Sequence, residues 1–230
     1  MTEGDGERIL RTVLGDSNDV RSSRVEFRRA AVRAEILEAA WGIVREHGLS
    51  GLSLRDLAAR VGMRAASLYS YFPSKYAIYD AMFRQGYEEF IAAAAPAYDV
   101  RSGADVRHTA MAGAYAYFDF CTSDPIRHQL LFQRTIPGFT PSDDSYAVAV
   151  DAYDRTIGRF RDVAAADDAD LDLWTAVITG LVDQQLANDP GGTRWRNLLE
   201  RAVDALLADL QRRQACLNAS TNRRAPRSDP

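Results

Sequence analysis

Apolar residues recur at helical spacing along most of this 230-residue chain, and the pattern is clearest just after Ser53. Spacings of three, one and three residues place four apolar side chains on one face of a helix. Ser53 lies three residues before Asp56 and has the form of a capping-box serine, which predicts that this helix begins near Leu54. The four side chains are Leu54, Leu57, Ala58 and Val61.

A second short helix is predicted directly after the first. Gly62 stands where a helix C-cap requires a residue that tolerates positive φ, so the chain is expected to turn there within about three residues. The next helix is predicted from about Arg64 to Tyr71, with Leu68 and Phe72 buried, and Pro73 ends it. Two short amphipathic helices joined by a tight turn predict a helix-turn-helix.

The outer face of the second helix carries small and hydroxyl-bearing side chains, which allow a helix to enter a DNA major groove. Ser74 is predicted to cap a third helix, and its free amides with Lys75 would suit a phosphate. A plain three-helix corner without DNA binding is the structural alternative. The residues with little reason to be buried are Ala65, Ala66, Ser67, Tyr69, Ser70 and Tyr71.

The pattern LxxLAxxVGxxxxSLYxYFPSK resembles the DNA-binding region of the TetR family of transcriptional regulators, over about Arg28 to Arg84. The resemblance implies an all-α homodimer whose subunits place the second helix-turn-helix helix in adjacent major grooves of a palindromic double-stranded DNA operator. It also implies a larger C-terminal domain that binds a small-molecule effector and thereby weakens DNA binding. We therefore expect a regulator, most often a repressor in such a family.

The domain organisation follows from these patterns. We expect a disordered extension at 1–24, a three-helix DNA-binding domain at 25–84, a helical ligand-binding and dimerisation domain at 85–213, and a disordered tail at 214–230. The predicted helices outside the helix-turn-helix run from about 26 to 47, 75 to 95, 105 to 122, 125 to 133, 142 to 165, 170 to 187 and 193 to 213.

Charge is unevenly distributed along the chain. The net charge is −4, yet residues 21–75 hold ten basic and five acidic side chains, so a positive field is concentrated near the N-terminal end. Four arginines precede or begin the first firm helix and form either an arm that reaches DNA or a solvated linker. They are Arg21, Arg24, Arg28 and Arg29.

Side-chain chemistry assigns roles in DNA binding. Phosphates favour cations and capped helix ends, whereas bases are read by side chains inside the groove. Arg55 is the nearby residue able to grip a guanine with two hydrogen bonds, so we predict it as the strongest base reader. Met63 and Arg64 stand where the TetR pattern often has a capping serine or threonine, so specificity is expected to depend on Arg55 and DNA shape. The predicted phosphate contacts are Ser53, Arg64, Tyr71 and Lys75, and the predicted groove contacts are Ala65, Ala66, Ser67, Ser70 and Tyr69.

The helices after residue 105 are rich in aromatic side chains, which either fill a core or line a small-molecule cavity. Such walls suit a hydrophobic or aromatic compound, while Asp119, Asp151 and Asp154 also allow a cation. The predicted ligand-binding residues are Tyr115, Phe118, Cys121, Phe132, Tyr153 and Trp174.

The apolar stripes of the last two predicted helices are too broad to be buried against a single neighbouring helix. Two such helices from each subunit would form a four-helix bundle across a twofold axis; the alternative is a hairpin buried within one chain. The predicted dimer-interface residues are Trp174, Val177, Leu181, Leu199, Val203 and Leu206.

Catalytic and cofactor motifs are not found in the sequence, so we expect neither an enzyme nor a cofactor. His108, Cys121 and His128 are a conceivable metal site, but their spacing is not a known ligand pattern and no metal is predicted. With no run of about 18 apolar residues and no signal peptide, we expect a cytoplasmic protein without a membrane span. The competing function is a TetR-fold ligand-binding or scaffold protein that lacks sequence-specific DNA binding.

Overall fold

A computed structural model describes residues 17–98 and 105–224 of the chain. Helices are the only regular elements in these two ranges, which confirms the all-α fold class. The chain divides into two compact units, Met1–Met82 and Phe83–Pro230, and the boundary between them falls within one long helix.

The first unit contains the predicted helix-turn-helix. A short 3₁₀ turn, Leu49–Gly51, separates its first two helices. Ile36, Val44 and Leu57 are fully buried in its core. Its helices are α1 (Ser17–His47), α2 (Leu54–Arg60), α3 (Ala65–Tyr69) and the beginning of α4 (Lys75–Tyr98).

The second unit is larger and also helical. Helix α5 packs against α9 and α10, and an apolar core including Phe118, Ile178 and Val203 lies among its helices. Aspartate or serine side chains cap the starts of α5, α6, α7 and α9, as expected for helix N-caps. Its helices after α4 are α5 (Val106–Ser123), α6 (Pro125–Phe132), α7 (Asp143–Tyr153), α8 (Arg159–Ala164), α9 (Asp168–Asn188) and α10 (Leu199–Arg224).

Helices α7 and α8 were predicted as one helix over 142–165, but a π-helical segment, Asp154–Gly158, separates them. Within it, Thr156 Oγ1 donates a hydrogen bond to the carbonyl oxygen of Ala152 at 2.7 Å. Thr156 and Ile157 face the same space as Tyr153, as residues three and four positions further along a helix do. π-Helical turns inside α-helices occur frequently at functional sites.

Several helix ends differ from the sequence predictions, and α10 begins at Leu199 instead of about residue 193. Helix α1 begins at Ser17 instead of about residue 26, and α10 continues to Arg224 instead of ending near residue 213, so 17–24 and 214–224 are helical where disorder was expected. Neither stretch contains glycine or proline, and polarity alone does not stop a helix. Helix α4 passes Pro96 and ends at Tyr98. The rest of both predicted disordered ends, 1–16 and 225–230, lies outside the described residues.

Candidate functional site

The helix-turn-helix of the first unit has the local geometry that its sequence predicts. Ser53 Oγ accepts a hydrogen bond from the amide of Asp56 at 3.4 Å and so caps α2. Gly62 adopts a φ of 65°, and the amide of Met63 then donates to the carbonyl oxygen of Ala58 at 2.8 Å. This left-handed conformation favours glycine, because a Cβ would be strained there. The turn therefore closes as a helix C-cap between α2 and α3.

Helix α3 presents a short, mostly polar surface to solvent. Leu68 is buried and anchors the helix, while the flanking residues are exposed, including Tyr69 with 52% of its surface accessible. Arg64 occupies the N-cap position of α3 without a capping side-chain hydrogen bond. The exposed residues, which we call the α3 surface, are Arg64, Ala65, Ala66, Ser67, Tyr69 and Ser70.

Two arginine side chains of the helix-turn-helix are available for an anionic partner, Arg55 at the start of α2 and Arg64 in the α3 surface. Both side chains are exposed and form no hydrogen bond or ion pair with another described residue. Arg60, five residues after Arg55, is instead bound to the carboxylate of Glu46 through two hydrogen bonds of 2.9 and 2.6 Å. That pair holds α2 against α1, and the hydrogen bond from Arg60 lowers the pKa of Glu46. The Arg60 side chain thus stabilises the packing of α2 on α1, whereas the side chains of Arg55 and Arg64 have no partner among the described residues.

Two arginines of α1 hold the C-terminal end of α3, an arrangement that the sequence analysis did not predict. Arg29 Nη2 donates to the carbonyl oxygen of Ser70 at 2.7 Å, and Arg33 Nη1 donates to the carbonyl oxygen of Tyr71. The guanidinium of Arg33 also lies 4.2 Å from the centre of the Phe72 ring. Cations favour the carbonyl end of a helix, so these contacts fix where α3 ends. The sequence signal for this arrangement is the four-residue spacing of Arg29 and Arg33, which places both side chains on one face of α1.

The prediction that four N-terminal arginines form an arm is therefore wrong at one residue. Arg29 binds the end of α3 instead of extending toward a partner. Arg24 and Arg28 are exposed, and the side chain of Arg21 lies outside the described residues. Only the arginines before Arg29 are left for the arm hypothesis.

Lys75, predicted as a phosphate contact, is partly engaged inside the first unit. Its Nζ donates to the carbonyl oxygen of Ser50 at 3.2 Å and lies 5.4 Å from the Tyr79 ring centre, and desolvation lowers its pKa. The buried Tyr79 hydroxyl donates to the carbonyl oxygen of Leu49, and burial raises the pKa of Tyr79 to about 12. Both side chains hold the 3₁₀ turn before α2. An ammonium group has three donors, so a phosphate contact by Lys75 stays a prediction.

The second unit contains a cavity of about 470 Å³, partly open to solvent and of a size typical of small-molecule sites. Three of the six predicted ligand-binding residues line it: Phe132, Tyr153 and Trp174. Its lining residues are Tyr87, Phe90, Tyr98, Gly113, Ala114, Tyr117, Phe132, Tyr146, Ala149, Val150, Ala152, Tyr153, Thr156, Ile157, Trp174, Thr175, Ile178 and Thr179.

The other three predicted ligand-binding residues do not line this cavity. Helix α5 turns Ala114 and Tyr117 toward it, which places Phe118 in the adjoining core and Cys121 behind the Tyr117 ring, both buried. Burial raises the pKa of the Cys121 thiol to about 12. Tyr115 lies on another face, where the guanidinium of Arg196 is 4.6 Å from its ring centre. The sequence did not reveal which α5 face borders empty space.

Aromatic rings in edge-to-face contact form one wall of the cavity. The ring centres of Tyr117 and Phe132 are 5.3 Å apart, and Phe90 lies 6.0 Å from each of them. The Tyr117 hydroxyl is 3.3 Å from Thr179 Oγ1, and the Tyr87 hydroxyl donates to the carbonyl oxygen of Leu131 at 3.2 Å. Burial raises the pKa of both tyrosines, so their hydroxyls stay protonated and neutral.

The predicted dimer-interface residues fall into two groups. Trp174, Leu199 and Val203 are buried within the second unit, so they cannot also contact a partner subunit; Trp174 lies 4.5 Å from Phe160, ring centre to ring centre. Val177, Leu181 and Leu206 are only partly buried. Val177 and Leu181 are on α9 together with the exposed Leu173, Leu206 is on α10, and the exposed Leu198 is in the turn before α10.

The conceivable metal site is not assembled. Among the described residues, no group of three histidine, cysteine or acidic side chains could hold a metal ion. His128 is buried, with Nε2 3.0 Å from Asp183 Oδ1, and Gln133 donates to the same oxygen at 2.8 Å. These contacts make His128 part of a hydrogen-bond network between α6 and α9.

Comparison with known proteins agrees with this geometry. Residues 36–82 match the family of bacterial regulatory proteins of the tetR type. The HTH-type transcriptional regulator Rv1816 of Mycobacterium tuberculosis is 29% identical over 150 residues, which are 64% of this chain and 62% of Rv1816. The match thus spans less than two thirds of that relative's length.

Solved structures share the fold. The crystal structure of SCO4313 has a TM-score of 0.63 and 26% identity, covering 80% of this chain and 97% of that one. A TetR variant from Acinetobacter baumannii, in complex with minocycline, has a TM-score of 0.51 and 21% identity, covering 77% and 94%. Within the described residues, no helix is both long and apolar enough to cross a membrane.

Proposed function

We propose that this chain represses transcription by binding a palindromic DNA operator, because its residues 36–82 match the tetR family of bacterial regulatory proteins. In this proposal the chain acts as a cytoplasmic homodimer, and a small hydrophobic effector releases it from DNA. The observation that carries the proposal is the α3 surface, exposed beside two unpaired arginines.

The chemistry of this surface supports DNA binding in two complementary ways. Arg55 and Arg64 supply positive charge and forked donors for phosphate or guanine. Ala65, Ala66 and Ser67 are small enough to let α3 approach base edges closely. The bracing of α3 by Arg29 and Arg33 keeps this surface rigid, so little ordering entropy is lost on binding.

The apolar side chains left exposed on α9 and before α10 support a homodimer. Leu173 and Leu198 have 46% and 37% of their surface accessible, and Val177 and Leu181 are partly accessible on the same helix as Leu173. A Cβ added at Gly180, which lies among them, would meet nothing within 4 Å, so a second helix has room to approach. A twofold-symmetric dimer suits a palindromic operator, because each half-site can then bind one α3 helix.

The cavity of the second unit supports an effector site. It is lined largely by aromatic and aliphatic side chains and includes a few hydroxyl groups. This composition is usual for small-molecule sites. A similar fold from Acinetobacter baumannii has been solved with minocycline bound. The effector of this chain is expected to favour a conformation in which the two α3 helices no longer match adjacent grooves.

A gel-shift assay with the DNA upstream of the chain's own gene tests the proposal. A specific complex should form that a scrambled duplex does not compete away, and its affinity should fall as salt rises, because phosphate contacts release counterions. Equal affinity for both duplexes at two salt concentrations would instead favour a ligand-binding or scaffold protein.

A further inference from the structure

We propose that the effector is an uncharged, mainly aromatic or alicyclic molecule bearing hydroxyl or carbonyl groups. This inference rests on the proposed function and specifies the ligand class of its effector site. It also decides between the two ligand chemistries that the sequence left open, a neutral hydrophobic compound and a cation.

The cavity lining contains no ionisable acid or base other than tyrosine. None of its described lining residues is aspartate, glutamate, lysine, arginine or histidine. A charged ligand group placed there would lose its hydration without gaining an opposite charge, which costs far more than burial of a hydroxyl that finds a partner. The lining therefore selects against ionised ligands of either sign.

The carboxylates that might have accepted a cation do not line the cavity. Asp119 forms two hydrogen bonds of 2.7 Å with Arg196, and Asp151 accepts one of 2.8 Å from Arg155. Asp154 does not line the cavity itself but an adjoining groove of about 410 Å³, which shares Tyr98 and Thr156 with the cavity lining. Arg155, Arg159 and Asp162 also line that groove, so its charges balance and favour neither an anionic nor a cationic head group.

The polar groups that do face the cavity are neutral. Tyr117 and Thr179 form a hydroxyl pair that can both donate and accept, and the Tyr98 hydroxyl forms no hydrogen bond with another described residue. Burial raises the pKa of Tyr98, as it does for Tyr117, so both remain neutral donors at physiological pH. Hydroxyl donors facing an aromatic cage match a ligand with a carbonyl or hydroxyl oxygen on an apolar ring system.

Three probes of one shape test this ligand class. Biphenyl-4-ol is neutral at pH 7, biphenyl-4-carboxylate is an anion and biphenyl-4-ylmethylammonium is a cation, as their reference pKa values require. Binding to the full chain is measured by isothermal titration calorimetry. We expect the phenol to bind at least about 100-fold more tightly than either ion, because only the ions must bury an unpaired charge.

A matched pair of variants locates the binding. Ala149→Trp fills the cavity from α7, whereas Ala147→Trp adds the same side chain at an exposed position of α7 outside it. Binding of the phenol should be lost in the first variant and kept in the second. If Ala149→Trp melts well below the parent protein, Thr175→Trp, at an exposed lining position on α9, replaces it.

The outcomes separate the ligand class from the proposed function. Tighter binding of an ion that Ala149→Trp abolishes would overturn the neutral-ligand inference and leave the effector site in place. Failure of the phenol to bind would also overturn the inference, and gel shifts would then judge DNA binding independently. Phenol binding that survives every cavity-filling variant would overturn both the ligand class and the cavity as its site.

Discussion

The guanidinium of Arg29 donates a hydrogen bond of 2.7 Å to the carbonyl oxygen of Ser70, 41 residues further along the chain. This contact joins the helix that supports the DNA-binding motif to the end of the helix predicted to enter the groove. Arg33, one turn further along α1, donates a similar hydrogen bond to the carbonyl oxygen of Tyr71. The orientation of α3 therefore depends on α1 as well as on the turn at Gly62.

Replacing Arg29 with alanine should lower the free energy of unfolding of the first unit by about 1 kcal/mol, the usual contribution of one such hydrogen bond. Arg28→Ala is the matched control, since Arg28 is exposed and has no described partner. Urea denaturation in a Trp174→Phe, Trp195→Phe background measures this, because the remaining Trp41 is buried in the first unit. Equal loss of stability in both variants would contradict the bracing role.

Arg55→Ala should weaken DNA binding by about 1–3 kcal/mol and relax preference at one base position. Arg64→Ala, the comparison variant, should weaken binding to all sequences alike and reduce the salt dependence, as removal of a phosphate contact does. Footprinting against a set of singly substituted operators distinguishes the two. An unchanged base preference in Arg55→Ala would refute its assignment as a base reader.

Leu173→Glu should weaken dimerisation at least about tenfold, because the carboxylate would be buried against an apolar partner face. Ala147→Glu puts the same charge on an exposed site of α7 and should leave the oligomeric state unchanged. Sedimentation velocity over a concentration series reports both. Identical behaviour of the two variants would show that the partner does not cover the α9 face.

Tyr79 should make the stability of the first unit depend on alkaline pH. Its folded pKa of about 12 exceeds the unfolded value of about 10, so its contribution is full below pH 10 and is lost as pH rises through 12. Tyr79→Phe removes this dependence, so the stability gap between parent and variant should narrow from pH 9 to pH 11.5. Trp41 fluorescence in urea measures both curves, and curves that stay parallel would exclude this titration.

Helix caps and turns that depend on residues close in sequence were predicted correctly. The caps at Ser53 and Ser74 and the turn at Gly62 depend on interactions within a few residues, and the structure places them where the pattern indicates. The family resemblance over the helix-turn-helix is confirmed by the match of residues 36–82.

Features set by distant contacts were not predicted. The Arg29 hydrogen bond depends on how α1 packs beside α3, and an apolar stripe does not specify that. The same limit applies in the second unit: Trp174 was equally suited to a dimer interface or a cavity wall, and the structure places it in the wall. Periodicity identifies which side chains are buried but not which of them border a cavity.

The most direct test of DNA reading by α3 is the affinity of Ser67→Asp for the operator, measured by fluorescence anisotropy. Ser67 is exposed, so the new carboxylate should not disturb the fold, and circular dichroism checks this. At the groove it would face phosphates, and we expect affinity to fall at least about tenfold. Ala147→Asp, with the same charge on α7, should bind like the parent chain. Unchanged affinity in a folded Ser67→Asp variant would contradict the account that α3 reads DNA.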